Sequence, residues 1–147
     1  MTGPPCSGKT TYVAEHRSDD DLVLDLDQIA HALGYPDVQV EWGSEHPAAQ
    51  AARIARTHLL HGLLNGTVTG PAWIIDTQPD DRLLAQYDRV GAELVHLDTP
   101  REVCLDRARA TRTEQAVAAI EAWFDARSTA PPSASQAGRP AALEVFG

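Results

Sequence analysis

The sequence is poor in cysteine and has no long apolar run, and we expect no leader peptide. Its two cysteines, Cys6 and Cys104, are too few for a disulfide framework. Cys6 also lies in a loop that a crosslink would obstruct, so both are predicted to be reduced thiols. No apolar run approaches the roughly 18 residues of a membrane span. Residues 1–3 lead directly into the loop, which argues against a signal peptide. These absences predict a cytoplasmic protein without a membrane partner.

Basic residues are also scarce, and nearly all of them are arginine. The chain has 12 lysines and arginines and 21 aspartates and glutamates, which gives a net charge of −9. That balance counts against broad, non-specific nucleic-acid binding but allows a local basic pocket for one phosphorylated end. Lys9 is the only lysine of the chain. A compact ammonium on a flexible stem reaches between phosphates where a planar guanidinium does not fit. The solitary lysine therefore indicates a phosphate-binding position.

Lys9 belongs to a contiguous motif, because residues 3–10 match G-x-x-x-x-G-K-[ST] in full. Its glycines let N–H groups turn inward as an anion nest, and the helix that follows adds its positive dipole end. Thr10 offers a hydroxyl to Mg²⁺. The motif predicts a P-loop for the triphosphate of ATP with magnesium; the alternative is a Gly/Pro turn before a helix. The predicted nucleotide contacts are Gly3, Pro4, Pro5, Cys6, Ser7, Gly8, Lys9, Thr10 and Thr11.

Helical and strand-like segments alternate along the chain. The pattern predicts strands at residues 22–26, 72–76 and 93–97 and helices at 9–17, 27–33, 48–64, 80–90, 100–110 and 114–127. Such alternation is typical of an α/β fold: a three-layer parallel sheet with helices on both faces. We expect one P-loop domain over residues 1–127. Residues 128–147, rich in Pro, Ser and Ala, are expected to form a flexible tail with a short terminal strand at 143–146.

One part of that fold is missing from the pattern. A P-loop normally follows a buried central strand, and here only Met1 and Thr2 precede Gly3. Either the strand begins upstream of this sequence, or another segment, such as the one near Val145, takes its place.

Asp76 ends the apolar segment 72–76, where a carboxylate of an α/β sheet reaches the magnesium shell or the acceptor. The alternative is a cap for the following helix. Thr77 follows it, whereas motor-type ATPases carry a water-polarising glutamate at that position. This difference favours transfer to a bound acceptor over hydrolysis.

Asp25 and Asp27 flank Leu26 at another strand end and are predicted to lie on the acceptor side. A carboxylate there accepts the proton of an attacking hydroxyl. We assign Asp27 as the base and Asp25 to a supporting or metal-side role. The alternative, a strand-end aspartate plus a helix N-cap, is expected to account for one of the two.

Arginines cluster near the break at Thr111, and on a mobile segment they would neutralise transition-state charge over the phosphates. The cluster comprises Arg101, Arg107, Arg109 and Arg112, and its alternative is a solvated face paired with Glu102 and Asp106. Arg53 and Arg56 share another helix and could touch an acidic substrate, but a solvated face is the expectation there.

The chain resembles the small P-loop kinases, in particular the kinase domain of the phage polynucleotide kinase group. The resemblance covers about residues 3–112. It rests on GPPCSGKTTY (3–12), DLDQI (25–29), WIIDTQPD (73–80) and LDTP (97–100) with the later Arg107.

The resemblance implies transfer of the ATP γ-phosphate to a hydroxyl, typically a nucleic-acid 5′ end. It implies Asp27 as general base, Lys9 and Thr10 as phosphate and Mg²⁺ contacts, and Asp76 beside the acceptor. It also implies that Arg107, with Arg109 or Arg112, forms the lid. The family's basic residue soon after the catalytic aspartate is absent here, which leaves a nucleoside or another small alcohol open as acceptor. A non-catalytic, vestigial ATP-binding regulatory module and a simple NTPase are the competing hypotheses.

Overall fold

The computed structural model describes residues 1–37, 39–41 and 43–129 and shows an α/β protein. Its elements are α1 (Lys9–His16), β1 (Leu22–Leu24), α2 (Leu26–Ala32), α3 (Pro47–Leu64), β2 (Ala72–Ile74), α4 (Asp81–Arg89), α5 (Arg101–Thr111) and α6 (Glu114–Thr129). Across these described ranges, no helix combines the length and apolar character that a membrane crossing requires.

Local capping explains where several helices begin. Pro47 occupies the first turn of α3, where its missing N–H costs nothing. Asp80 accepts a hydrogen bond from the Leu83 amide at 2.7 Å and so caps α4. Asp25 does the same for α2 by accepting from the Asp27 amide at 3.1 Å. The prediction that the strand runs to Leu26 and the helix starts at Asp27 is therefore wrong: β1 ends at Leu24, and Asp25 is the cap.

The two strands are parallel, and the residues before the P-loop extend their hydrogen bonding. Leu22 pairs with Ala72 and Leu24 with Ile74. On the other side of β2, the Met1 amino group donates to the Ile74 carbonyl at 3.0 Å, and the Asp76 amide donates to the Met1 carbonyl at 3.0 Å. Met1 is therefore hydrogen-bonded to the edge of β2 that does not pair with β1.

Thr2 connects this arrangement to the segment that follows α4. Its amide donates to the Val95 carbonyl at 2.7 Å, and its carbonyl accepts from the Leu97 amide at 2.9 Å. The predicted strand at 93–97 is thereby reduced to a single bridge between Thr2 and His96. Among the described residues, Thr2 is the residue that forms these two backbone hydrogen bonds with the segment.

A slot remains between β2 and residues 93–95, in line with Met1. We call it the sheet slot. It encloses about 330 Å³ and is lined by residues that include Trp73, Tyr87 and Leu94. Because N–H and C=O of one strand residue point the same way, the Ile74 and Val95 amides face this slot, and neither has a partner in the part of the chain described. Met1 and Thr2 thus form the hydrogen bonds that a longer strand would form at this position.

The described residues form three small apolar clusters. One lies beneath the sheet and α1 (Met1, Val13, Ile75), one between α2 and α3 (Ala30, Tyr35, Ala48, Ala49, Ala52) and one between α5 and α6 (Leu105, Ala108, Ile120). Helix α6 continues to Thr129, two residues beyond the predicted domain boundary. The predicted strand at 143–146 lies outside the described residues.

Candidate functional site

The P-loop is shaped by backbone angles that its sequence permits. Gly3 has a φ of 142°, and a Cβ placed there would lie 2.6 Å from the Leu97 carbonyl oxygen, so no side chain fits. Gly8, which precedes α1, has a φ of 97°. Cys6 also has a positive φ, 60°, in the left-handed region that non-glycine residues seldom adopt. The loop therefore presents the first turn of α1 to a cleft, as an anion site requires.

Lys9 lies folded against this loop. Its Nζ donates to the Gly3 carbonyl at 2.8 Å and to the Pro4 carbonyl at 2.6 Å, and only 9% of the residue is exposed. Burial lowers the pKa of Lys9 to about 8, from an ordinary value of 10.5. The ammonium has carbonyl dipoles but no carboxylate within ion-pair distance among the described residues. An anionic ligand would supply the missing counter-charge.

Two further donors at this side of the cleft lack partners. Ser7 Oγ and Arg112 Nε are both buried, and neither has a hydrogen-bond partner within the described residues. Buried polar atoms are normally satisfied, so such orphans are expected where a ligand binds. Together with Lys9 they fit a polyphosphate, which offers several acceptor oxygens at once.

The predicted arginine cluster divides into two groups. Arg107 and Arg112 line the cleft, and Arg107 Nη1 donates to the Cys6 carbonyl at 3.2 Å. Arg109 lies outside the cleft lining and bonds Asp106 and Glu121, each at 3.3 Å. Arg101 likewise pairs with Asp125. The solvated, ion-paired alternative thus describes Arg101 and Arg109, whereas Arg107 contacts the P-loop and Arg112 lines the cleft.

The two aspartates at the end of β1 have distinct environments. Asp25 is 5% exposed, and its Oδ2 accepts from Thr10 Oγ1 at 3.3 Å. Asp27 Oδ1 accepts from the Val40 amide at 2.8 Å, and its Oδ2 has no partner in the described ranges. Burial raises the pKa of Asp27, the nearby Asp25 carboxylate adds to that effect, and the hydrogen bond from Val40 opposes it. Asp27 therefore has the geometry of a proton acceptor, and Asp25 that of a support for Thr10.

Asp76 lies elsewhere in the cleft, paired with an arginine. Its Oδ2 accepts from Arg56 Nη2 at 3.3 Å, and the same nitrogen donates to the Ile75 carbonyl at 2.9 Å. The structure thus brings Asp25, rather than Asp76, to the Thr10 hydroxyl that was predicted to bind Mg²⁺. Sequence reasoning left Arg56 on a solvated helix face, because a contact 20 positions along the chain leaves no local signal.

The oxygen atoms around Thr10 decide whether this part of the cleft could hold a magnesium ion. The described residues contain no group of three or more His, Cys, Asp or Glu side chains that could hold a metal by themselves. Mg²⁺ in nucleotide sites, however, is usually held by one or two protein oxygens together with phosphates and water. The Thr10–Asp25 pair next to the P-loop meets that requirement.

The whole cleft encloses about 1360 Å³ and brings both sets of residues together. One wall, the donor wall, is formed by residues 5–12 with Arg107 and Arg112. A second set of lining residues, the acceptor wall, comprises Asp27, Arg53, Arg56 and Asp76. Comparison of the chain with protein-family models, curated protein sequences and solved structures gave no match.

Proposed function

We propose that this protein is an ATP-dependent phosphotransferase of the P-loop kinase class, with a hydroxyl-bearing acceptor. Its fold would be the three-layer sheet of that class, with Met1 and Thr2 in the place of the first strand. One observation carries the proposal: a buried lysine without a counter-charge lines the same cleft as a carboxylate with one free oxygen and a raised pKa. Phosphoryl transfer needs these two groups on opposite sides of the γ-phosphate.

On the donor wall, Lys9, Ser7 and the first amides of α1 would hold the phosphates of ATP. Thr10 and Asp25 would hold Mg²⁺, which neutralises charge that develops between the β- and γ-phosphates. Arg107 and Arg112 would meet the equatorial oxygens of the transferring group, where charge accumulates. Arg107 is already fixed against the loop by the Cys6 carbonyl, so this part of the site needs little reorganisation.

On the acceptor wall, Asp27 would accept the proton of the attacking hydroxyl through Oδ2. As the hydroxyl oxygen forms its bond to the γ-phosphorus, the bond to the β–γ bridging oxygen breaks and ADP leaves. Its raised pKa makes Asp27 a better proton acceptor than an exposed aspartate. Thr77 beside Asp76 supports transfer over hydrolysis, because no water-polarising glutamate stands there.

The test is transfer of a labelled γ-phosphate from Mg–ATP to a panel of hydroxyl acceptors: nucleic-acid 5′ ends, nucleosides and small alcohols. Asp27→Asn is expected to lower transfer by about 10²- to 10⁴-fold while ATP binding is retained. Asp20→Asn, at an exposed turn, is the matched control. The wild-type rate is expected to fall as the pH falls through the raised pKa of Asp27.

Three results would redirect the proposal. Transfer that is unaffected by Asp27→Asn would remove this residue as the base. Phosphate release that does not depend on an acceptor would make the protein a simple NTPase. ATP binding without turnover on any acceptor, together with full tolerance of Arg107→Ala and Arg112→Ala, would make it a non-catalytic nucleotide-binding module.

A further inference from the structure

We infer that the acceptor is a phosphorylated alcohol and that Arg53 and Arg56 of α3 bind its phosphate ester. This inference rests on the proposed function and adds a second anion site, on the acceptor wall and separate from the P-loop. The acceptor would present its hydroxyl to Asp27 and its phosphate to the two guanidinium groups.

The placement of the two arginines is the first argument. They are three residues apart on one helix and therefore share a face. Both line the cleft that contains Asp27, and both are only partly exposed. The face of α3 that was expected to be solvated is thus part of the wall against which an acceptor must lie.

The second argument is that each guanidinium is held by a backbone carbonyl. Arg53 Nη1 donates to the Ser44 carbonyl at 2.9 Å, and Arg56 Nη2 donates to the Ile75 carbonyl at 2.9 Å. A guanidinium carries five N–H donors, so these bonds orient the group without using most of its capacity. An oriented planar fork is the side chain that proteins prefer for phosphate, since it can donate two parallel hydrogen bonds.

The third argument is charge. Arg56 has a carboxylate partner, Asp76, at 3.3 Å, with 18% and 19% of the two side chains exposed. No carboxylate among the described residues lies within 4.0 Å of Arg53. In a chain with a net charge of −9, an arginine that is half-buried in a cleft and held only by a carbonyl is suited to an external anion.

The experiment compares hydroxyl acceptors in pairs, one member without a phosphate and one member with it. The pairs are a nucleoside and its 3′-monophosphate, glycerol and glycerol 3-phosphate, and a nucleoside and a 5′-hydroxyl oligonucleotide. Transfer kinetics are measured for the wild type, Arg53→Gln and Arg56→Lys, which keeps the charge facing Asp76. Arg89→Gln, at the exposed end of α4, is the matched control.

For at least one pair, the phosphorylated member is expected to have a KM lower by about 10- to 100-fold, the effect of one or two charge-assisted hydrogen bonds. Arg53→Gln is expected to remove that advantage by raising the KM of the phosphorylated member more than that of the neutral member; Arg89→Gln changes neither. The pair with the largest effect identifies the source of the phosphate. Equal use of both members in every pair, or an equal loss for both members in Arg53→Gln, would overturn the inference.

A separate measurement distinguishes failure of this inference from failure of the proposed function. The protein is saturated with Mg²⁺ and a non-hydrolysable ATP analogue, so that the P-loop is filled, and the phosphorylated alcohols and inorganic phosphate are titrated by calorimetry. Binding that Arg53→Gln abolishes would establish the anion site even if no acceptor is phosphorylated. Absence of binding for every one of these probes would refute the site.

Discussion

The two walls of the cleft are built differently. On the donor wall, the decisive contacts involve backbone atoms: Lys9 bonds the Gly3 and Pro4 carbonyls, and Arg107 bonds the Cys6 carbonyl. On the acceptor wall, side chains from different elements meet, as Arg56 of α3 meets Asp76 beyond β2. The P-loop part of the donor wall is therefore encoded in one short stretch of sequence, whereas Arg107 and the acceptor wall come to the cleft only once the chain has folded. The following changes test how far this difference extends.

The largest effect is expected from Lys9→Met, which removes the buried ammonium from the donor wall. ATP affinity and transfer are both expected to fall by at least about 10²- to 10³-fold, the usual loss for one preorganised charged donor. Calorimetric titration with Mg–ATP measures the affinity. Arg17→Met, just past the end of α1, is the control, and a melting curve checks that the fold is intact. If Lys9→Met bound ATP normally, the donor wall would not be the nucleotide site.

The next largest effect is expected to distinguish Arg112 from Arg109, which lies three positions before it in the sequence. Arg112→Gln is expected to lower kcat by about 10²-fold, because Arg112 lines the cleft and its buried Nε has no hydrogen-bond partner among the described residues. Arg109→Gln, which breaks only exposed pairs with Asp106 and Glu121, is expected to change kcat by less than about threefold. Steady-state kinetics at saturating ATP measures both. Equal losses in the two variants would show that α5 reorients when the site is filled.

A third prediction uses the pKa of Lys9, which burial lowers to about 8. ATP favours the charged form, so the affinity for ATP is expected to be constant below pH 8 and to fall by up to about tenfold per pH unit above it. Binding near pH 8.5 should then take up a proton, as revealed by calorimetry in buffers of different ionisation enthalpy.

The lowered pKa of Lys9 also affects the stability of the unliganded protein, which is expected to change with pH in the opposite direction to the ATP affinity. Between about 8 and the ordinary value of 10.5, the unfolded chain holds the proton and the folded chain does not. Stability should therefore rise with pH across that window. Lys9→Met should abolish both effects; a pH dependence that persists in this variant would assign it to another group.

The smallest expected effect concerns the sheet slot, which is lined in part by Met1 and Thr2, the residues that precede the P-loop. Four β-branched apolar residues added before Met1 would meet the Ile74 and Val95 amides and would replace a buried amino group, whose pKa burial lowers, by a peptide bond. We expect a gain of about 1 to 3 kcal/mol in the free energy of unfolding, from a few hydrogen bonds at roughly 1 kcal/mol each. Chemical denaturation measures this gain. A Gly-Pro-Gly-Ser extension, which cannot pair in a strand, is the control and should give none.

Much of this structure was predictable because its signals are local. The motif at residues 3–10, Pro47 at the start of α3 and the capping Asp80 before α4 each act within a few positions of the chain. The α/β class follows from such signals and is confirmed. The assignment of Asp25 as the cap was harder to predict, because Asp25 and Asp27 are both suitable cap residues. Which of them caps α2 depends on the residue at which the backbone becomes helical, and that residue is Leu26.

Other features depended on contacts that span most of the chain. Thr2 bridges His96, 94 positions away, and that pairing limits what residues 93–97 can form. Arg56 reaches Asp76 only because α3 packs beside the sheet. Arg109 and Arg112 differ because α5 ends at Thr111, where the chain turns Arg112 into the cleft. The spacing of residues within one segment cannot predict these contacts between distant parts of the chain.

The position of Met1 has a practical consequence for work with this protein. Its amino group lies inside the hydrogen-bonded array, bonded to the Ile74 carbonyl, and not at a free surface. An affinity tag fused in front of it would be threaded between two segments of the fold directly behind the P-loop. A tag at that end is thus a change to the architecture, and its sequence should be selected as carefully as a mutation.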